Sequence, residues 1–188
     1  MKKFIPLIVI LAVIVILGGS FIGMYNGLVS MDTEVQNAYS NIESQMQRRG
    51  DLIPNLVSTV KGYAAHEEEV LTSIADARAK LAGAGSVQEL ENADNQLSSA
   101  LSRLLVVVEK YPDLKANENF QALMDELSGT ENRIAVARKD YNDTVKEYNK
   151  AIKQFPKNFV ASIFGFESAE FFRADEGAKE VPKVDFGK

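Results

Sequence analysis

Residues 4–24 read FIPLIVILAVIVILGGSFIGM, a stretch without a charged residue. Twenty helical residues rise about 30 Å, the thickness of a bilayer's hydrocarbon core. Fourteen of the stretch are Ile, Leu, Val or Phe, among them Phe4, Leu11, Leu17 and Ile22. At about −0.4 kcal/mol each they favour insertion by roughly 6 kcal/mol. Gly18, Gly19, Ser20, Gly23 and Pro6 reduce this without reversing it. Pro6 falls in a first turn, where a missing N–H costs little. A cleaved signal peptide would have an apolar core of about 7–15 residues closed by a small-x-small site. Here the run is longer, and Gly18-Gly19-Ser20 is followed by more apolar residues. A retained transmembrane anchor over residues 1–24 is expected.

Charge sets the expected orientation. Lys2, Lys3 and the amino terminus precede the span, whereas Asp32 and Glu34 are the first charges after it and Arg48 the first cation. The positive-inside rule then places the N-terminus in the cytoplasm and the body outside, with a cytoplasmic body as the alternative. Without Lys2 and Lys3 the chain carries 19 cations against 26 anions, so the body is near −7.

Beyond Met24 the pattern changes from solid to spaced apolar. Tyr25, Leu28, Asp32, Val35, Tyr39, Ile42, Met46, Arg49, Ile53, Leu56, Val60, Tyr63, Glu67, Val70, Ile74, Ala77 and Leu81 follow one another in steps of three and four. Fourteen of these seventeen are apolar. This is a heptad seam of the coiled-coil kind, flanked by polar residues as a solvated face requires. It predicts one helix leaving the membrane and running over about 25–82. Pro54 should kink that helix near 50–54, because it removes one hydrogen bond and crowds the carbonyl of Gly50. The alternative is a break with Asp51 as N-cap of a new helix.

Residues 81–86 form a loop, and Ser86 with Glu89 makes a capping box. A second helix over 86–111 runs on Leu90, Ala93, Leu97, Ala100, Leu104, Val108 and Tyr111, and stops at Pro112. A third, capped by Asn117, covers 117–155 on Phe120, Leu123, Leu127, Thr130, Ile134, Ala137, Tyr141, Thr144, Tyr148, Ala151 and Phe155, and ends at Pro156. Short loops make neighbouring helices antiparallel. The expected fold is all-α: a transmembrane helix continuing into an elongated antiparallel bundle of three long helices, plus a shorter fourth segment over 158–172. Residues 25–172 form the bundle domain. The first helix is too long for its partners, so residues from Tyr25 to Met46 are expected to overhang as a stalk.

The end of the chain differs in kind. Phe155, Phe159, Phe164, Phe166, Phe171 and Phe172 place six of the ten phenylalanines within 18 residues. They either close the bundle from inside or present a surface to a partner or to the membrane. Residues 173–188 read as an extended tail, with Val181 to Phe186 alternating too briefly to make a sheet.

Composition excludes several chemistries. The chain has 188 residues, a net charge of −5, no Cys, no Trp and a single histidine, His66. Thiol catalysis, disulfides, Cys-based metal sites and any site needing two imidazoles are ruled out. The acidic balance argues against nucleic-acid binding. His66-Glu67-Glu68-Glu69-Val70 begins like a zinc-protease helix but has Val70 where the second His would stand. Gly83-Ala84-Gly85-Ser86 lacks the lysine and the preceding strand of a phosphate loop. Arg49-Gly50-Asp51, inside a helix, is not displayed as an adhesion tripeptide. No catalytic residue, metal or cofactor is expected. Arg49 on the first seam and Thr130, Glu131 and Arg133 on the third helix are candidates for a buried polar layer, which fixes register at some expense of stability. The alternative is that their long side chains reach solvent.

Several runs resemble the LemA family. They are Gln47 to Val57, Val60 to Glu67, Ala77-Arg78, Tyr111 to Asn117, Thr130 to Ala135, Ala137-Arg138, Tyr141-Asn142, Tyr148-Asn149 and Phe155-Pro156. Tyr25 to Val29 fits the stretch that follows the family's anchor, and Tyr39 stands where the family often has Trp. The resemblance implies a bacterial membrane protein with an N-terminal anchor and an all-α body. It supplies no reaction and no catalytic residues. It also brings the opposite orientation, with the short N-terminus outside, against which the charge argument stands.

The function expected is therefore that of a non-enzymatic scaffold or interaction protein in the bacterial cell envelope. Its partners would be the bilayer and either further copies of itself or another membrane protein. An adaptor or regulator of a membrane protease or signalling partner, acting through Phe159, Phe164, Phe166, Phe171 and Phe172, is the alternative. An enzyme would have to work with carboxylates alone, such as Asp51 with Glu67 or Glu131.

Overall fold

A computed structural model describes residues 5–173. Phe4 and the expected tail beyond Arg173 lie outside the described residues, which contain six helices and no strand. These are α1 (Ile5–Lys61), α2 (Glu68–Gly83), α3 (Val87–Val108), α4 (Pro112–Lys115), α5 (Glu118–Lys153) and α6 (Lys157–Phe164). The all-α class holds. The described chain forms two compact units, one of residues 5–41 with 139–170 and one of 42–138 with 171–173.

The 57-residue α1 runs through Pro54 without ending. It ends at Lys61, however, and not near residue 82. Gly62, Tyr63 and Ala64 turn their N–H groups back onto Thr59 and Val60 at 3.2, 3.0 and 2.8 Å, which tightens and closes the last turn. Two side-chain bonds fasten the turn: Tyr111 Oη donates to Glu67 (3.0 Å) and Asn117 donates to Tyr63 Oη (3.0 Å). The three-four spacing persists across this turn, but the helical phase does not. Beyond it Leu71 is buried and Val70 only half so.

In the unit of residues 42–138, α2 folds back antiparallel to α1, so that Arg78 lies opposite Gly50. α3 then runs with α1 and α5 runs against it, giving four helical layers in up-down-up-down order. Ile42, Met46, Ile53, Leu56, Ile74, Leu97, Leu104, Leu127 and Ile134 fill the core. Ser86 caps α3 by accepting from Glu89 N–H (3.2 Å), and the Glu89 carboxylate reaches back to Gly85 N–H (2.8 Å). Asn117 Oδ1 caps α5 at Phe120 N–H (3.0 Å).

In the other unit the first part of α1 pairs antiparallel with the last turns of α5 and with α6. Tyr39 meets Tyr141 at 6.0 Å between ring centroids, and Tyr25 meets Phe164 at 4.6 Å. Leu28, Val35, Val145, Tyr148 and Val160 are buried there. The expected overhanging stalk from Tyr25 to Met46 is thus absent: α5 and α6 pack against its seam. Gly165, at φ 73°, ends α6 in a left-handed turn that favours glycine. The chain then returns along α5, where Asn149 holds both backbone groups of Ala169 (2.8 and 2.9 Å) and Tyr141 Oη donates to Glu170 O (2.9 Å). Burial raises the Tyr141 phenol above 10.0, with Tyr39 and Glu170 adding to the shift. Burial also raises Tyr148, helped by Asp32 and Glu167.

Candidate functional site

Three features are candidates for function, and the first is a charged centre inside the four-layer unit. Arg49 comes from the α1 seam and is 1 % exposed. Its Nη1 donates to Asp94 Oδ1 at 2.6 Å and its Nη2 to Ser98 Oγ at 3.1 Å. Arg138 of α5 donates to the other oxygen of Asp94 at 2.7 Å. One buried carboxylate of α3 therefore joins guanidinium groups from two other helices. Glu131, largely exposed, stands 3.6 Å from Arg49 Nη2 and offsets part of the excess positive charge. Phe172 lies against the Arg138 guanidinium (5.4 Å to its centroid), and the next residue's N–H reaches the buried Glu91 (3.3 Å).

Of the four candidates for a polar layer, the structure brings only Arg49 and Glu131 together. Thr130 is buried but donates to Leu127 O within its own helix (2.7 Å). Arg133 is exposed and shares Glu126 with Arg48 (2.9 and 2.7 Å). Asp94, Arg138 and Ser98 were not anticipated. The available signal was Asp94 itself, four residues after Leu90 and three before Leu97, a charge on the apolar face of α3 facing the seam arginine. Both Asp94 oxygens are engaged, so Asp94 is a clamp and not a poised base. Glu67 is likewise taken up by Tyr111, whose phenol the carboxylate holds above 10.0.

The second feature repairs the proline. Pro54 supplies no N–H to Gly50 O; Arg78 Nε donates to that carbonyl instead, at 2.9 Å. Gly50 is buried, and a Cβ there would meet Leu81 Cδ2 at 3.9 Å. Glu43, Gln47, Asp51 and Arg78 line a cleft of about 350 Å³ beside this contact.

The third feature is apolar surface. From Ile8 to Leu17 and at Ile22, α1 presents large side chains that are about half to two-thirds exposed; Leu11, Leu17 and Ile22 are 62, 63 and 62 % exposed. The segment is long and apolar enough to cross a membrane. The Phe-rich region divides. Phe172 is buried, Phe166 half-buried, and Phe155, Phe159, Phe164 and Phe171 exposed.

The sequence matches the LemA family over residues 38–186. The chain belongs to the LemA family. Its relatives include magnetosome protein MamQ 2 of Paramagnetospirillum magneticum, 31 % identical over 85 % of this chain and 68 % of the relative. Magnetosome protein MamQ of Magnetospirillum gryphiswaldense is 30 % identical with the same coverage. Protein LemA of Metamycoplasma hominis is 30 % identical over 88 % of this chain and 74 % of the relative. The matched LemA region contains Arg49, Arg78, Asp94 and Arg138, whereas the apolar rod of α1 precedes it. A membrane anchor is what this rod and the family point to.

Proposed function

We propose that this LemA-family chain is a membrane-tethered, non-enzymatic helical scaffold of the cell envelope, with its folded body on the extracytoplasmic side. One observation carries the reading: α1 is a single helix whose residues 8–17 and Ile22 offer exposed apolar side chains and whose seam residues from Leu28 onward, among them Val35, Ile42, Met46, Ile53 and Leu56, are buried in the core. A helix with apolar side chains exposed at one end and a buried seam at the other joins a bilayer to a folded body. Lys2 and Lys3 ahead of the span, and Asp32 and Glu34 behind it, support the orientation. The engaged carboxylates of Asp94 and Glu67 support a structural role for the charged centre. Exposed Leu105, Val106 and Val136 offer apolar contacts for a second copy or for another membrane protein. Relatives named for magnetosomes and one named only LemA suit a scaffold used in different settings.

Protease treatment of spheroplasts should digest the body while intact cells protect it; protection in spheroplasts would reverse the orientation. Cross-linking in native membranes should trap oligomers or a discrete complex. A chain recovered only as monomer would end the scaffold reading.

A further inference from the structure

Helix α6 has two faces. Val160 and Ala161 are buried, and Phe164 rests on Tyr25 and Phe21 (4.6 and 6.0 Å between centroids). The opposite face carries Phe159 and Ile163, 61 and 66 % exposed, one turn apart. Phe155, 79 % exposed, extends the strip backward and meets Phe159 edge-on at 6.0 Å. Exposed aromatic and aliphatic side chains in a row are expensive in water and ask for an apolar neighbour.

The neighbour is indicated by what α6 is packed on. Phe21 belongs to the apolar stretch of α1 and Tyr25 is the first aromatic beyond it. The Phe164 ring therefore sits at the level where the rod leaves hydrocarbon, and the exposed Phe159 and Ile163 belong to the same short helix. Aromatic residues are favoured at that level. Residues 150–164 also carry Lys150, Lys153 and Lys157 and no acidic residue, in a chain of net charge −5. An apolar strip flanked by lysines is the pattern of a helix lying in an anionic membrane surface, its apolar side about 5–10 Å into the headgroup–acyl boundary.

We infer that α6 and Phe155 are a second membrane contact, seated in the interface of the bilayer that α1 crosses, with Phe155, Phe159 and Ile163 among acyl chains and Lys153 and Lys157 at anionic headgroups. This rests on the anchored reading of α1.

The test uses the full chain in vesicles of phosphatidylcholine and phosphatidylglycerol. The protein has no Trp but six Tyr, so Phe159→Trp and, separately, Ile163→Trp each introduce a single indole at an exposed site, excited at the red edge where Tyr does not absorb. Brominated acyl chains should quench that emission severalfold, while aqueous iodide should leave it nearly unchanged. Replacing phosphatidylglycerol by phosphatidylcholine, or Lys153→Glu with Lys157→Glu, should weaken the bromine quenching. Indifference to both changes would overturn the headgroup assignment. Quenching by iodide and not by bromine would overturn the contact altogether. So would protection from both quenchers, which would mean that protein covers the strip. Flotation with the vesicles separates the two readings: a chain that floats but fails the quenching test refutes this contact alone, and one that does not float refutes the anchor as well.

Discussion

Arg78 Nε donates a hydrogen bond to the carbonyl of Gly50, at 2.9 Å, and so occupies the acceptor that Pro54 strands. A proline inside a helix ordinarily kinks or breaks it, at a cost of about 3 kcal/mol. Here the side chain of the next helix completes the broken ladder. Arg78→Met should destabilise the chain by about 1–3 kcal/mol in chemical denaturation, as expected for an orphaned buried carbonyl. In a Pro54→Ala background, which restores the backbone donor, the same change should cost clearly less. Equal costs in the two backgrounds would show that Arg78 acts elsewhere.

The Asp94 clamp makes a larger prediction. Asp94→Ala leaves Arg49 buried with the largely exposed Glu131, at 3.6 Å, as its remaining counter-ion, which should cost about 3–5 kcal/mol. Arg49→Met combined with Asp94→Leu removes both charges and should recover much of that loss. Arg138, 22 % exposed at its side chain, can turn to solvent in the double variant. A double variant as unstable as Asp94→Ala alone would refute the charge explanation.

Alkaline pH should loosen the unit that contains Tyr141 and Tyr148. Burial raises both phenols above 10.0 in the folded chain. The folded state then holds these protons more tightly than the unfolded one, so their stabilisation is complete below pH 10 and fades as pH climbs through the folded values. Stability measured against pH should fall above 10, and Tyr141→Phe should flatten that fall. Spectrophotometric titration of the same variant should lose a late-titrating phenolate.

Insertion of the rod is open to direct arithmetic. Leu11→Arg with Ile14→Arg adds about 5–7 kcal/mol at the centre of the span, enough to cancel the roughly 6 kcal/mol that favours it. The doubly substituted chain should leave the membrane on alkaline extraction, and the parent chain should stay. A double variant that remains bound would locate the anchorage elsewhere.

Much of this architecture could be read from residue spacing. The α1 seam from Leu28 to Val60, the Ser86 and Asn117 caps and the stops before Pro112 and Pro156 follow from local rules. The turn at 62–67 escaped because Tyr63, Glu67 and Val70 continue the three-four spacing through a segment that is not helical. Its fastening comes from Tyr111 and Asn117, more than 40 residues away in sequence, which no local pattern displays. The charged centre was half visible. Arg49 broke its own seam and so drew notice, but Thr130, Glu131 and Arg133 were proposed as companions because they are adjacent in sequence. Helical geometry points adjacent residues in different directions. Asp94, a charge on the apolar face of α3 between Leu90 and Leu97, was the cue passed over, and Arg138, one residue after the seam position Ala137, gave none. The phenylalanines looked alike in composition and separated only once α6 had an inside and an outside.

The centre at Asp94 also indexes the molecule. Moving α1, α3 or α5 lengthwise by one helical turn, about 5.4 Å, would carry a guanidinium away from the buried Asp94 carboxylate that Arg49 and Arg138 share. Gradual sliding is thus closed to these three helices. A push or pull arriving along α1 would have to displace them as a block, so a lodged charge in the interior turns a flexible-looking cluster of rods into a transmission with a single gear.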